Sequence, residues 1–266
     1  MSESKTVVIV GSKPGASLPR GVAAYFANAS IGILGHGGAP FASVVNVVSA
    51  VVLRKSRFSE DQDHAELYAA KREAICSARP SRLVLVESAD HPRLGTELTD
   101  WLRDSGYASP IERLSPSDRI DAQVRLSGLP HPVVTRACID QPMAVVMRDA
   151  LHVLRHRFGL QRGEVMGKFR PSTGIVALLQ AALEHGPHAE YVLVGIGLSE
   201  RHLHVVRGAV VSGKIARPAV LEPHVAADTA ILRALARRFV LRAEDPELAS
   251  TLSGIRAASV AEAGGR

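Results

Sequence analysis

The sequence predicts an α/β fold: one Rossmann-like, mainly parallel sheet with helices on both faces, in a single domain. Three observations lead there. Short β-branched runs, "TVVIVG" (6–11), "RLVLVES" (82–88) and "YVLVGIG" (191–197), read as strands buried on both faces. Helical patterns alternate with them, which favours parallel pairing. A turn-rich loop follows the first strand and a glycine-rich loop the second, on the side of such a sheet where ligands bind.

The elements follow in order. Residues 6–11 form a strand stopped by Gly11, and "SKPGASLP" is a turn-rich loop. Residues 22–28, "VAAYFAN", form a second strand ending at Asn28. After "GILGHGGAP", the run "FASVVNVVSAVVL" suits a strand or a short helix. Residues 59–77 carry a Ser start, early acids and late bases, the marks of a helix. Strand 82–88, a helix over 93–105 and an edge strand "IERL" (111–114) come next. Residues 140–158 are helical by the spacing of Met143, Val146, Met147, Ala150, Leu151 and Leu154. An amphipathic helix opened by "RPSTG" precedes strand 191–197. "HLHVVRGAVV" (202–211) reads as a hairpin arm, and a last helix covers about 224–239. No linker or repeat interrupts the chain, so residues 1–266 are taken as one domain. Its halves are 1–165 and 166–256, with a frayed tail over 257–266.

Composition narrows the function classes. Apolar residues make up 46% of the 266, enough for a core, and aromatics only 4%, so that core is aliphatic. The net charge of +6 favours anionic partners. A basic stripe with interleaved aromatics is absent, which argues against nucleic acid. The two cysteines, Cys76 and Cys138, have no ligand-like spacing, which suits a reducing cytoplasm. The longest apolar run, Phe41 to Leu53, is too short for a bilayer span of about 20 residues. The expectation is a cytoplasmic protein whose Arg-rich exterior allows peripheral contact with the inner membrane. No histidine pattern supports a zinc site, and "DQD" (61–63) lies in a helix's first turn, where acids suit the dipole.

Three segments could carry chemistry. In "VVIVGSKPGASLP", Gly11, Ser12 and Gly15 let backbone amides approach a phosphate or ribose, or simply make a turn. In "KFRPSTGIVALLQAAL", Ser172 is a candidate N-cap, and Thr173 and Gly174 open the helix. A first-turn glycine costs about 1 kcal/mol relative to Ala, which makes sense if a ligand must come close. The helix start attracts an anion, and Lys168 and Arg170 would reinforce that field. The alternative is a capped helix with two solvated cations. In "EPHVAADTAILRALARRF", His224 and Asp228 share one face with Ile231 and Leu235. Near a helix start, His224 would be held neutral, fit to accept a proton. Taken alone, that pair reads more simply as a solvated histidine and acid. His202 is a weaker candidate for substrate contact.

Taken in order, these segments resemble the motifs of the sialyltransferase superfamily. "VVIVGSKPGASLP" resembles the donor-binding large motif, with Asn28 in "YFANAS" as its closing asparagine. "RPSTGIVALLQAAL" and "YVLVGIGLS" resemble the two halves of the small motif. His224 and Asp228 resemble the final motif, with Asp in place of Glu. Ile196 stands where the family has Phe, and the cysteine pair of animal members has no counterpart, which points to a bacterial relative. The resemblance spans roughly 6–30 and 168–235.

The resemblance implies a glycosyltransferase that moves a 2-keto acid sugar, sialic acid or Kdo, from CMP to a glycan hydroxyl. It would be inverting and metal-independent, with no cofactor beyond the donor substrate, and would act in capsule or lipooligosaccharide synthesis. Gly11, Ser12, Gly15, Asn28, Ser172, Thr173 and Gly174 would hold the nucleotide, and Lys168, Arg170 and His202 the sugar or phosphate. His224 would be the base and Asp228 its helper. Alternatives are a retaining CMP-Kdo transferase with Asp90, Asp140 or Asp228 as nucleophile, a non-catalytic nucleotide-binding module, or a Rossmann-type methyltransferase. The last wants an acid where Asn28 stands.

Overall fold

The computed structural model describes residues 5–11, 18–34, 41–58, 65–161, 163–196, 203–206, 209–212, 218–251 and 256–257. Ten strands and nine α-helices fall within them. They are β1 (Thr6–Val10), β2 (Ala23–Ala27), β3 (Ser43–Ser49), α1 (Ala50–Phe58), α2 (Ala65–Ser77), β4 (Arg82–Val86), α3 (Leu94–Asp104), β5 (Ile111–Leu114), α4 (Pro116–Ser127), α5 (Arg136–Ile139), α6 (Met143–Arg157), α7 (Thr173–His185), β6 (Glu190–Val194), β7 (Leu203–Val206), β8 (Ala209–Ser212), α8 (Pro218–Leu235), β9 (Val240–Ala243), α9 (Pro246–Thr251) and β10 (Arg256–Ala257).

One sheet holds eight of the strands in the order β10-β9-β6-β1-β2-β3-β4-β5, and every adjacent pair is parallel. The predicted α/β class is therefore the observed one. Strand residues alternate between the two faces, as the pleat requires. Val7, Ile9, Tyr25, Val45, Val47 and Val84 join the core that includes α7 and α8. Val48, Leu83 and Leu85 pack on the other face with α1 and α3, and Val8, Val10, Ala24 and Phe26 with Ile31 and Phe41. With both faces covered, the strands could be written as unbroken apolar runs.

The chain steps outward from β1 through β2, β3, β4 and β5. It then returns through α7 to place β6 on the other side of β1. The strand order thus reverses between β1 and β6, and a crevice opens beyond the carboxyl ends of strands at such a point.

Several expectations need correction. The run over 41–53 is both things at once: β3 ends at Ser49 and α1 begins at Ala50. Helix α7 is not amphipathic in the usual sense, because every residue from Ile175 to Ala182 is buried. The sheet, α4 and α8 enclose it. Tyr25 of β2 anchors its far end, donating to Glu184 Oε2 at 2.6 Å. Helix α8 begins at Pro218, about six residues before the expected start. Ala257, expected in the tail, pairs with Ala243. The expected hairpin arm is a complete antiparallel pair, β7 and β8, outside the main sheet. The "DQD" acids lie outside the described residues.

Candidate functional site

Three chain segments converge at the carboxyl ends of β1 and β6. The Gly11 N–H donates to Val194 O at 2.8 Å, carrying the β1–β6 pairing one residue past the strands. A Cβ on Gly11 would lie 2.3 Å from Gly195 O, so the two strand tips meet backbone to backbone. Gly195 has φ 61, a conformation glycine adopts without strain. The third segment is the start of α7, beside Ile196 of the β6 tip.

Ser172 does occupy the N-cap, with φ −66 and ψ 164, but its hydroxyl makes no cap hydrogen bond. The cap is supplied from elsewhere. Asp228 of α8, buried, accepts the Ser172 N–H at 2.9 Å through Oδ1. The next three N–H groups, of Thr173, Gly174 and Ile175, have no partner among the described residues. Helices leave their first N–H groups without intrahelical partners, and here Thr173 and Gly174 are half-buried and can be reached. Among the described residues, a Cβ on Gly174 would meet only Ser172 Oγ at 3.9 Å and Ile196 Cγ1 at 4.0 Å. Those are ordinary contacts, so packing does not demand glycine at that position.

The two cations ahead of the helix are not arranged as expected. The Lys168 ammonium is paired with Asp149, whose side chain is 4% exposed. Arg170 pairs with Glu164 Oε1 at 3.0 Å. Each cation is thus engaged by a buried carboxylate, which weakens the field it would have lent the helix start. The physical reason is burial: a cation next to a core segment needs an anion with it.

Glu164 is the hub of a cluster that the sequence did not reveal. It also pairs with Arg119 of α4 and accepts the Ala89 N–H at 3.0 Å. Asp90 Oδ1 in turn accepts the Glu164 N–H at 2.8 Å. Burial alone would raise the Glu164 carboxyl, but Arg119, the Ala89 N–H and Arg170 outweigh it and hold it below its usual value. Nearby, burial and then the Arg119 charge push His131 down to about 4. Its Nδ1 meets Gln123 Oε1 at 2.9 Å. His131 Nε2, Arg119 Nε and His156 Nε2 are buried without hydrogen-bond partners among the described residues. Apart from Ala89 and Asp90, these residues lie between 119 and 170 with no regular spacing, so only α4 offered a signal. Ser115, which accepts the Asp118 N–H, Pro116 at the first turn and left-handed Gly128 mark that helix plainly.

The other predicted residues fare variously. The side-chain oxygen of Asn28 accepts the Ser49 N–H at 3.0 Å, and its φ is 54. It turns the chain at the end of β2 and ties that turn to β3. His224 lies within α8, six residues after its first, and not in the expected first turn where the helix dipole acts. Asp140 forms an exposed pair with Arg136, away from any burial a nucleophile would need. Ser12, Gly15, His202 and the side chain of His224 lie outside the described residues. An open cavity of about 510 Å³ lies over the loop after β4, lined by Arg54, Asp90, His91, Arg93 and Glu97.

No family model, curated protein or solved structure matches this chain. Among the described residues no group of three or more His, Cys, Asp or Glu side chains is placed to hold a metal, and no helix is long and apolar enough to cross a membrane.

Proposed function

We propose that the crevice between β1 and β6 binds the phosphate of a CMP-activated 2-keto acid sugar and transfers that sugar to a glycan hydroxyl. The observation that carries the reading is the α7 start. The N–H groups of Thr173 and Gly174, without partners among the described residues, open beside the tips of β1 and β6, at a glycine that packing does not require. A helix N-terminus of this kind is suited to a single phosphodiester charge.

In the proposed reaction the acceptor oxygen attacks the anomeric carbon, and the bond from that carbon to the CMP oxygen breaks. Negative charge builds on the departing CMP. The Thr173 and Gly174 amides stabilise that charge more strongly as it grows, which lowers the barrier. His224 takes the acceptor proton in this reading. Asp228 is a positioning residue: by accepting the Ser172 N–H it sets the direction of the amides that follow. The cavity beside Asp90 and Arg93 is the proposed acceptor side. A ribose-binding dehydrogenase or methyltransferase is less well supported, because Asn28 stands where the acid would be and its oxygen is already used.

One substitution isolates the claim. Pro is well tolerated at the first helical position, and Ser172 already has the extended backbone that precedes proline. Thr173→Pro should therefore leave the fold intact while removing one N–H. CMP affinity, measured by calorimetry, should fall about tenfold relative to Thr173→Ala, as for a hydrogen bond to a charged group. Equal affinities in the two variants would refute phosphate binding at this helix. With CMP-sialic acid or CMP-Kdo as donor, His224→Ala should cut turnover by about two orders of magnitude or more with donor affinity little changed. Product stereochemistry by NMR separates inversion from retention. CMP binding without turnover of either donor would mark a binding module instead.

A further inference from the structure

Helix α6 has its polarity reversed. Its apolar spacing is that of a core-facing stripe, yet the stripe faces solvent. Met143 is 73% exposed, Met147 64%, Leu151 50% and Leu154 49%; Phe158, just past the helix, is 73%. At 3.6 residues per turn, these five project within an arc of roughly 80°. The opposite face carries the polar groups. Asp149 is buried there against Lys168. His152 stacks on Phe169 at 6.0 Å and accepts the Met166 N–H at 3.3 Å. Val153 is the main apolar contribution of α6 to the small core with Cys138, Val165 and Phe169.

The outer face is charged in one sense only. Arg148 and Arg155 flank the stripe on one side and Arg157 on the other, and all three are exposed, although Arg148 also reaches Asp149 Oδ1 at 3.5 Å. The single acid in α6 is Asp149, on the inner face. Ile139 (63% exposed) and Leu160 (78%) lie beyond the two helix ends, with the exposed Arg136–Asp140 pair beside Ile139.

We propose that the outer face of α6 is a membrane-docking surface, which lies in the headgroup layer of a bilayer rich in anionic phospholipid. An apolar stripe bordered by arginine and free of acid is the composition of helices that lie flat at such an interface. The apolar side chains enter the acyl boundary while the arginines meet lipid phosphates. Charge decides against a second copy of the chain as occupant. Two such faces brought together would oppose arginines with no carboxylate on either face to pair them. This inference is independent of the donor chemistry.

Flotation of the full chain with phospholipid vesicles tests it. Binding to phosphatidylcholine vesicles doped with phosphatidylglycerol should exceed binding to pure phosphatidylcholine by about tenfold or more, and weaken as salt rises. The charge-neutral double variant Met147→Ser/Leu151→Ser should lose about tenfold in binding. Its melting temperature should not change, because both side chains are exposed. A Leu151→Trp variant should show a blue shift in its fluorescence difference spectrum when the anionic vesicles are added. Three results would overturn the proposal: no binding to anionic vesicles, undiminished binding by the serine variant, or a dimer in light scattering that the serine substitutions dissolve while vesicles bind nothing.

Discussion

At the scale of single residues, the candidate site depends on what is absent from a side chain. Gly11 is legible in sequence only as the residue that stops a strand. The structure supplies a harder reason, because a methyl group there would sit 2.3 Å from the Gly195 carbonyl oxygen. That neighbour is backbone and cannot turn aside. Gly11→Ala should cost about 1–3 kcal/mol and lower the melting temperature by roughly 2–10 °C. An unchanged melt would mean that the two strand tips do not touch. Asp228 makes the complementary point. An H-x-x-x-D spacing suggests a pair acting together, but the carboxylate turns to the backbone of another helix. Sequence spacing places a residue on a face and says nothing of what the next element presents to it.

At the scale of elements, α6 and α7 are both legible as helices in the sequence, but their surroundings are not. Helix α7 is buried from Ile175 to Ala182 because α4 and α8 close over the side away from the sheet. Helix α6 keeps a polar face inward, with a buried ion pair on it. Asp149 and Lys168 join it to the turn that leads into α7, with side chains 4% and 15% exposed. Removing one partner of such a pair leaves a buried charge uncompensated. Lys168→Met should therefore destabilise the fold by about 3 kcal/mol, measured by urea unfolding. Adding Asp149→Asn should restore much of that loss. If the single and double variants unfold alike, the pair does not hold α6 in place. Helix α4 had a clear Ser-Pro start and Gly stop, a local signal that the spacing of apolar residues alone does not register.

At the scale of the whole molecule, the Glu164 cluster links the loop after β4, α4 and the approach to α7, and it should govern the acid side of stability. His131 is held below its ordinary value of 6.5, at about 4, and Glu164 is also held low. Each therefore binds its proton less readily folded than unfolded. Stability from His131 is complete above about pH 6.5 and declines as pH falls towards 4; Glu164 adds to the loss below its ordinary range. Melting temperature followed across that window should fall with acidification, and His131→Gln should flatten the upper part of the curve. A profile unaltered by that substitution would remove His131 as a cause.

The sequence by itself determined the fold class, most of the strands and the identity of the Ser-Thr-Gly helix start, because those are written in short-range patterns: β-branched runs, glycine stops and helical periodicity. Tertiary structure alone decided which carboxylates neutralise Lys168 and Arg170, what caps Ser172, and which face of α6 meets solvent. Those outcomes rest on contacts between residues far apart in the chain, 56 positions in the case of Ser172 and Asp228. Burial sets the outcome of such contacts, and burial belongs to the packed molecule rather than to any stretch of its sequence.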